Sequence, residues 1–236
     1  MDFDDLKRMY DEKKRMYGDR AYLYVSEIFE EAREHYKQQY LASQKAQKLI
    51  AQGKTPYPEQ SWKGFKGKNF EKLILYIIHT ELTTEKIKCI PGFWLNRKQL
   101  SAELSNVYRN LIVRYGKYPL LPDADLVVYD PSTSKVLGII SCKITLRERI
   151  AQTAYWKLKL ASDPATMHIK GWFVTTDEDG DLVRGLDEPS KRGAARNRII
   201  VEHELDGTYT LREVSESDKV KAFPKLIDDL RRLASG

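Results

Sequence analysis

The chain reads as an α/β protein: a mixed β-sheet flanked by helices, behind a helical N-terminal extension. Three observations predict this. Apolar residues recur at helical spacing through residues 1–52. The period then shortens to two in a pair of runs, ADLVVYD and VLGIISCKI, separated by PSTSK. Around that pair, helical and β-rich patterns alternate, as expected of helices packed on a sheet. With 236 residues, 42% hydrophobic and 31% charged, the chain can bury a core and is too apolar to be disordered as a whole.

The elements follow in order. Tyr24, Ile28 and Phe29, then Ala32, Tyr36 and Tyr40, recur at helical spacing among Glu, Lys, Arg and Gln. The cluster GKTPYP is rich in helix breakers and marks a boundary between an extension (1–58) and a core (59–236). GKNFEKLILYIIHT is helical, with Phe70, Leu73, Leu75 and Ile77 making it apolar over much of its circumference, so it belongs against a sheet. Leu100, Leu104, Val107, Leu111 and Ile112 predict a further helix over 99–115. ADLVVYD and VLGIISCKI form a hairpin around the Pro-Ser-Thr-Ser turn. Residues 146–161 return to helix. MHIKGWFVTT and RIIVEHEL read as strands, and DGTYTLR continues the second after an Asp-Gly turn. Residues 219–233 close the chain as a short amphipathic helix.

Composition narrows the function. Lys and Arg total 40 against 34 Asp and Glu, a net charge of +6, which admits a nucleic-acid partner without requiring one. Cys89 and Cys142 alone exclude a disulfide scaffold and a cysteine-rich zinc module. His35, His79, His168 and His203 form no HxxxH or HxH pair, which argues against a histidine-built metal site. The longest apolar run, LILYIIH, is too short to span a bilayer. The N-terminus has no apolar signal region, so the expectation is a soluble cytoplasmic protein with no membrane partner.

The hairpin carries the chemistry. Alternation puts Leu137, Ile139, Ser141 and Lys143 on one face of its second strand, with Gly138, Ile140, Cys142 and Ile144 on the other. Asp123 and Asp125 share a face of the first strand. Antiparallel pairing therefore brings two carboxylates and an ammonium together at one end of the sheet. Such a set suits metal-assisted phosphodiester hydrolysis: carboxylates hold hard Mg²⁺ through oxygen, and the metal polarises phosphate and acidifies a water. The lysine orients that water or offsets the charge that builds on phosphorus. Cys142 is a small core residue without a histidine partner, which disfavours a thiol nucleophile.

Basic residues surround this core. KRGAARNR places Lys191, Arg192, Arg196 and Arg198 in a loop between two strands, suited to phosphate contact. Trp62, Lys63, Lys66 and Lys68 add a second basic patch. Arg147 and Arg149 follow Lys143 directly; about 200° apart on a helix, they cannot serve the same contact. Gln152, Tyr155 and Lys159 fall near i, i+3 and i+7 and line one helix face.

The segment LLPDADLVVYDPSTSKVLGIISCKITLRERIAQTAYWKLKL resembles the active-site core of the PD-(D/E)xK nucleases, specifically the type II restriction endonucleases. Pro122-Asp123 matches the PD element and Ser141-Cys142-Lys143 the (D/E)xK element, while SWKGFKGKNFEKLILYII resembles the family's first core helix. Asp125 directly precedes the apolar run, as the catalytic aspartate does in related resolvases, so both aspartates stand as the catalytic residue. Ser141 departs from the family pattern, since serine is a poor Mg²⁺ ligand. Some members draw the acid from a helix; that implies Glu71 as the substitute ligand, with Glu148 second. The resemblance further implies a restriction-endonuclease-like fold and a helix bearing Arg147, Arg149 and Gln152 that approaches the major groove, where Arg and Gln suit guanine and adenine edges. The function it implies is Mg²⁺-dependent cleavage of double-stranded DNA at a short specific sequence. Two strands call for two active sites, hence a homodimer, or a heterodimer for an asymmetric target. Its alternatives are a junction resolvase or nicking repair nuclease on the same core, or a catalytically inert DNA-binding module in which Ser141 marks a decayed site.

Overall fold

The computed structural model describes residues 1–186 and 195–235, without the side chains of Arg147, Glu148 and Ser235. The chain divides into two compact units, Met1–Leu73 and Ile74–Gly236. The first holds α1 (Phe3–Tyr17), α2 (Val25–Ala42), α3 (Gln44–Ala51) and most of α4 (Pro58–Glu81). The breaker cluster separates α3 from α4, whereas the compact units divide inside α4. Asp2 starts α1 with a reciprocal cap: its carboxylate accepts from Asp5 N at 3.1 Å, and Asp5 accepts from Asp2 N at 2.8 Å. Phe29 anchors the unit, edge-on to both Trp62 and Phe70 with ring centroids 6.4 Å away.

The second unit comprises β1 (Lys88–Pro91), α5 (Ala102–Leu111), β2 (Val113–Tyr115), β3 (Tyr118–Leu120), β4 (Leu126–Tyr129), β5 (Val136–Lys143), α6 (Arg147–Ala161), β6 (Lys170–Thr175), α7 (Arg196–Glu204), β7 (Gly207–Thr210), β8 (Val220–Ala222) and α8 (Pro224–Ser235). Six strands form one sheet in the order β1-β4-β5-β6-β7-β8. The β1–β4 and β4–β5 neighbours are antiparallel and the rest parallel, so the sheet is mixed as expected. One apolar cluster gathers Val107, Leu111, Val127, Tyr129, Ile139 and Leu160; another gathers Ile150, Phe173, Val201, Leu205 and Val220. No helix among the described residues is long and apolar enough to cross a membrane.

The β4–β5 hairpin forms where the period-two pattern puts it. Its turn is held by Asp130, whose carboxylate accepts from Ser132 N at 2.8 Å and Thr133 Oγ1 at 2.8 Å. The Ser132 hydroxyl, which also donates to Asp130 at 2.7 Å, and then these two bonds hold the Asp130 carboxyl below its usual range. A close approach fixes the start of β4. Gly92 N donates to Asp125 O at 2.8 Å, and a Cβ at Gly92 would fall 1.9 Å from Ala124 O, so a glycine is required there.

Four expectations need correction. The closing helix starts at Pro224 rather than at 219, because Val220–Ala222 is strand β8. The helix over 99–115 stops at Leu111, and Val113–Tyr115 is strand β2. The β-branched pair Ile112-Val113 favours extended backbone, and Gly116, at φ +60°, supplies the turn into β3. RIIVEHEL is not a strand; all of it but Leu205 lies in helix α7. β6 and β7 are parallel neighbours, and a parallel pair needs a crossover, which this segment provides despite its β-branched run. Arg198 therefore does not sit in an exposed basic loop. It is 1% exposed on α7, donates from Nε to Glu202 at 2.8 Å and from Nη1 to Leu182 O at 2.8 Å. Arg198→Ala is expected to destabilise the fold by about 3–5 kcal/mol, because Glu202 loses its buried counter-charge. Urea unfolding followed by circular dichroism measures it; a loss under about 1 kcal/mol would contradict the assignment.

Candidate active site

The parallel half of the sheet ends its strands on the side where Lys143 terminates β5. One step before β4, Asp125 N donates to Ile140 O at 3.1 Å, which places Asp125 beside the end of β5. The Asp125 carboxylate accepts from the Cys142 backbone N at 2.6 Å and from Lys143 Nζ at 2.8 and 2.7 Å. The pair is partly shielded, with side-chain exposures of 25% for Lys143 and 11% for Asp125. Its charge-assisted bonds are accordingly stronger than those of a surface pair.

The two aspartates are not equivalent. Asp123 is exposed, and its Oδ2 accepts from Gln152 Nε2 on α6 at 2.7 Å. It touches the helix rather than Lys143. Ser141 is buried at 5% exposure, and its Oγ lies 3.1 Å from Thr153 Oγ1, itself 5% exposed. The position that carries an acid in the (D/E)xK pattern is thus a neutral link between β5 and α6. Cys142 is buried, 2% exposed, as expected of a core residue.

Arg149 is exposed on α6, with Nη1 3.5 Å from Gln152 Oε1. Tyr155 OH meets Tyr115 OH at 2.5 Å, and Lys159 Nζ lies 5.4 Å from the Tyr115 ring centroid. The face of Gln152, Tyr155 and Lys159 is real, but it contacts the segment around Tyr115 and Asp123. The Tyr155 hydrogen bond and then burial push the Tyr115 phenol up to about 12. Beyond the end of β6, Asp177 (φ 50°) accepts from Asp181 N and Leu182 N at 3.0 Å each. Burial pushes its carboxyl up to about 6 against those bonds. Nothing in the sequence flagged Asp177, whose environment arises only from the turn that follows β6.

The remaining expected residues lie on other elements. Glu71 is half-buried on α4, within the Met1–Leu73 unit. Lys66 is not on open surface: it is 8% exposed and its Nζ lies 5.9 Å from the Phe29 ring centroid, since this face of α4 packs on the aromatic core. Lys68 is exposed, as is Arg196 at the start of α7. Lys191 and Arg192, and the side chains of Arg147 and Glu148, lie outside the described residues.

Among the described residues no three or more His, Cys, Asp or Glu side chains are grouped to hold a metal. Mg²⁺ does not need such a cage; it is held by one or two carboxylates, waters and substrate phosphate. A shielded carboxylate backed by a lysine suits that mode, so the donor chemistry of Asp125 fits Mg²⁺.

Comparison with known proteins follows the same line. Residues 103–231 match the family model described as BsaWI restriction endonuclease type 2. The chain is 34% identical over 210 residues to a Methanocaldococcus jannaschii protein assigned as type II restriction enzyme MjaVIP, covering 88% of this chain and 92% of that one. It is 36% identical over 116 residues to a Helicobacter pylori protein assigned as type II restriction enzyme HpyAORF263P, covering 49% of this chain and 60% of that one. In fold it is similar to the restriction endonuclease PspGI, solved with substrate DNA, at a TM-score of 0.50 and 16% identity over 98% of this chain and 93% of that one.

Proposed function

The chain belongs to the BsaWI family of type II restriction endonucleases, and on that premise we propose that it is a Mg²⁺-dependent enzyme hydrolysing both strands of duplex DNA at a short specific sequence. The observation that carries this reading is the two-bond contact of Lys143 with Asp125 at the end of β5. Asp125 would be the main Mg²⁺ ligand and Asp123 an outer one, while Ser141 offers no charge to the metal. When bound, the metal polarises the scissile phosphate and lowers the pKa of a water. The protein's own groups do the rest. Cys142 N and Lys143 fix the orientation of the Asp125 carboxylate. Lys143, the only ammonium bonded to that carboxylate among the described residues, holds the attacking water in line and offsets negative charge on the phosphate oxygens in the transition state. Arg149 on the exposed side of α6 faces the duplex, and Lys68 and Arg196 are exposed cations available for phosphate. The helices of Met1–Leu73 contribute subunit contacts or embrace the DNA, and the enzyme acts as a twofold dimer.

Metal removal tests the reading. Plasmid DNA incubated with the protein and Mg²⁺ is expected to give discrete fragments, and an excess of EDTA is expected to abolish them. Sequencing the fragment ends gives the target and the stagger. A gel shift without cleavage in Mg²⁺ would instead identify a DNA-binding module that has lost its chemistry.

A further inference from the structure

One element near the site has no part in the reaction described above. β2 and β3 pair with each other, Val113 opposite Leu120 and Tyr115 opposite Tyr118, and stand apart from the six-stranded sheet. Gly116 and Lys117 close the ribbon; φ is positive only at Gly116, the arrangement of a type II′ turn, whose twist suits paired strands. Arg114, Lys117 and Tyr118 are exposed, Tyr118 at 63%. Residues 112–122, IVRYGKYPLLP, carry these two cations and no carboxylate. Among the described residues no carboxylate pairs with Arg114 or Lys117, whereas Lys157 and Lys170 are both neutralised by Asp206.

The ribbon is also anchored. The Tyr115–Tyr155 hydrogen bond ties it to α6, and the Lys159 ammonium sits 5.4 and 5.7 Å from the two ring centroids. A few residues on, Gln152 ties Asp123 to the same helix, and Asp125 follows. Lys117 lies 5.3 Å from the Tyr118 ring centroid at the tip. The result is an anchored basic-aromatic ribbon whose base is continuous with the strand entering the catalytic pair.

We propose that the β2–β3 ribbon grips the DNA backbone beside the cut, with Arg114 and Lys117 on phosphates and Tyr118 against the adjoining sugars. This rests on the nuclease reading. A polyanion neutralises unpaired cations interleaved with aromatic rings. A second copy meeting the ribbon about a twofold axis would instead set like charges face to face. The three-residue strands are too short to fill a groove, which favours backbone over base contact.

The test uses the full chain and the double variant Arg114→Ala/Lys117→Ala, whose sites are exposed and leave the core intact. Binding of a labelled mixed-sequence duplex of about 30 base pairs is followed by anisotropy over roughly 50–200 mM salt. Each phosphate contact contributes about 0.9 to the slope of log affinity on log salt, so the double variant is expected to flatten the slope by about 2 and weaken binding about tenfold at ~0.1 M salt. Tyr118→Ala is expected to weaken binding with the slope unchanged. A slope unchanged in the double variant, while wild type binds and cuts, overturns the ribbon proposal and leaves the nuclease reading standing. An unchanged slope with loss of self-association in sedimentation makes the ribbon a subunit contact and also overturns it. Failure of the wild-type chain to bind or cut any duplex removes the nuclease reading and the proposal with it.

Discussion

Lys143→Ala is expected to reduce DNA cleavage by about 10³-fold or more while duplex binding is largely retained, the loss of a transition-state contact worth roughly 4 kcal/mol. The lysine ends a largely buried strand, and its ammonium bonds both oxygens of the Asp125 carboxylate, at 2.7 and 2.8 Å. Affinity rests mainly on cations spread over the surface, so removing this one leaves them in place. Single-turnover cleavage beside anisotropy titration separates the two effects. A variant that cuts within about tenfold of wild type would move the chemistry elsewhere.

Asp125→Asn is expected to be about as damaging, and Asp123→Asn to cost no more than about tenfold. Asparagine at 125 still accepts a hydrogen bond from Cys142 N but has no charge for Mg²⁺ and removes the carboxylate charge that faces Lys143. Asp123 is exposed and bonded to Gln152, so its loss loosens a contact to α6 rather than the pair at β5. Both variants are assayed across a Mg²⁺ series with circular dichroism as the check on folding. Equal and mild losses would count against a metal site on this hairpin. A Mg²⁺ dependence shifted only by Asp123→Asn would exchange the two roles.

Much of this site is legible in the sequence. The hairpin followed from period-two alternation around Pro-Ser-Thr-Ser, and the meeting of Lys143 with an aspartate followed from the hairpin. Choosing between Asp123 and Asp125 did not, because they share parity along the chain; the choice depends on register, set by pairs such as Leu126 with Ile140. The fate of Arg198 was hidden for a different reason. A cation in a basic run looks solvated until one knows that the segment must cross between two parallel strands, and that crossover buries it. The ends of the sheet were missed as well. β1 and β8 are strands of four and three residues, too short to show a period, and exist through their pairing to β4 and β7. The fold class and the helical N-terminal region were readable because both rest on long patterns rather than on single contacts.

The buried bond between Ser141 and Thr153 has a consequence for how such an enzyme changes over generations. It fastens the helix that presents Arg149 and Gln152 to the strand that presents Lys143, through two hydroxyls that neither water nor a larger side chain can replace without disturbing both. On the proposed function, with Arg149 facing the duplex and Lys143 at the cut, target preference and turnover would therefore be inherited together. On that reading a lineage would drift to a new site by exchanging outward residues of α6, whereas a change at either inward hydroxyl would leave the other without this bond. Grafting a foreign α6 to retarget the enzyme would be expected to carry its own partner for residue 141, or to arrive inactive.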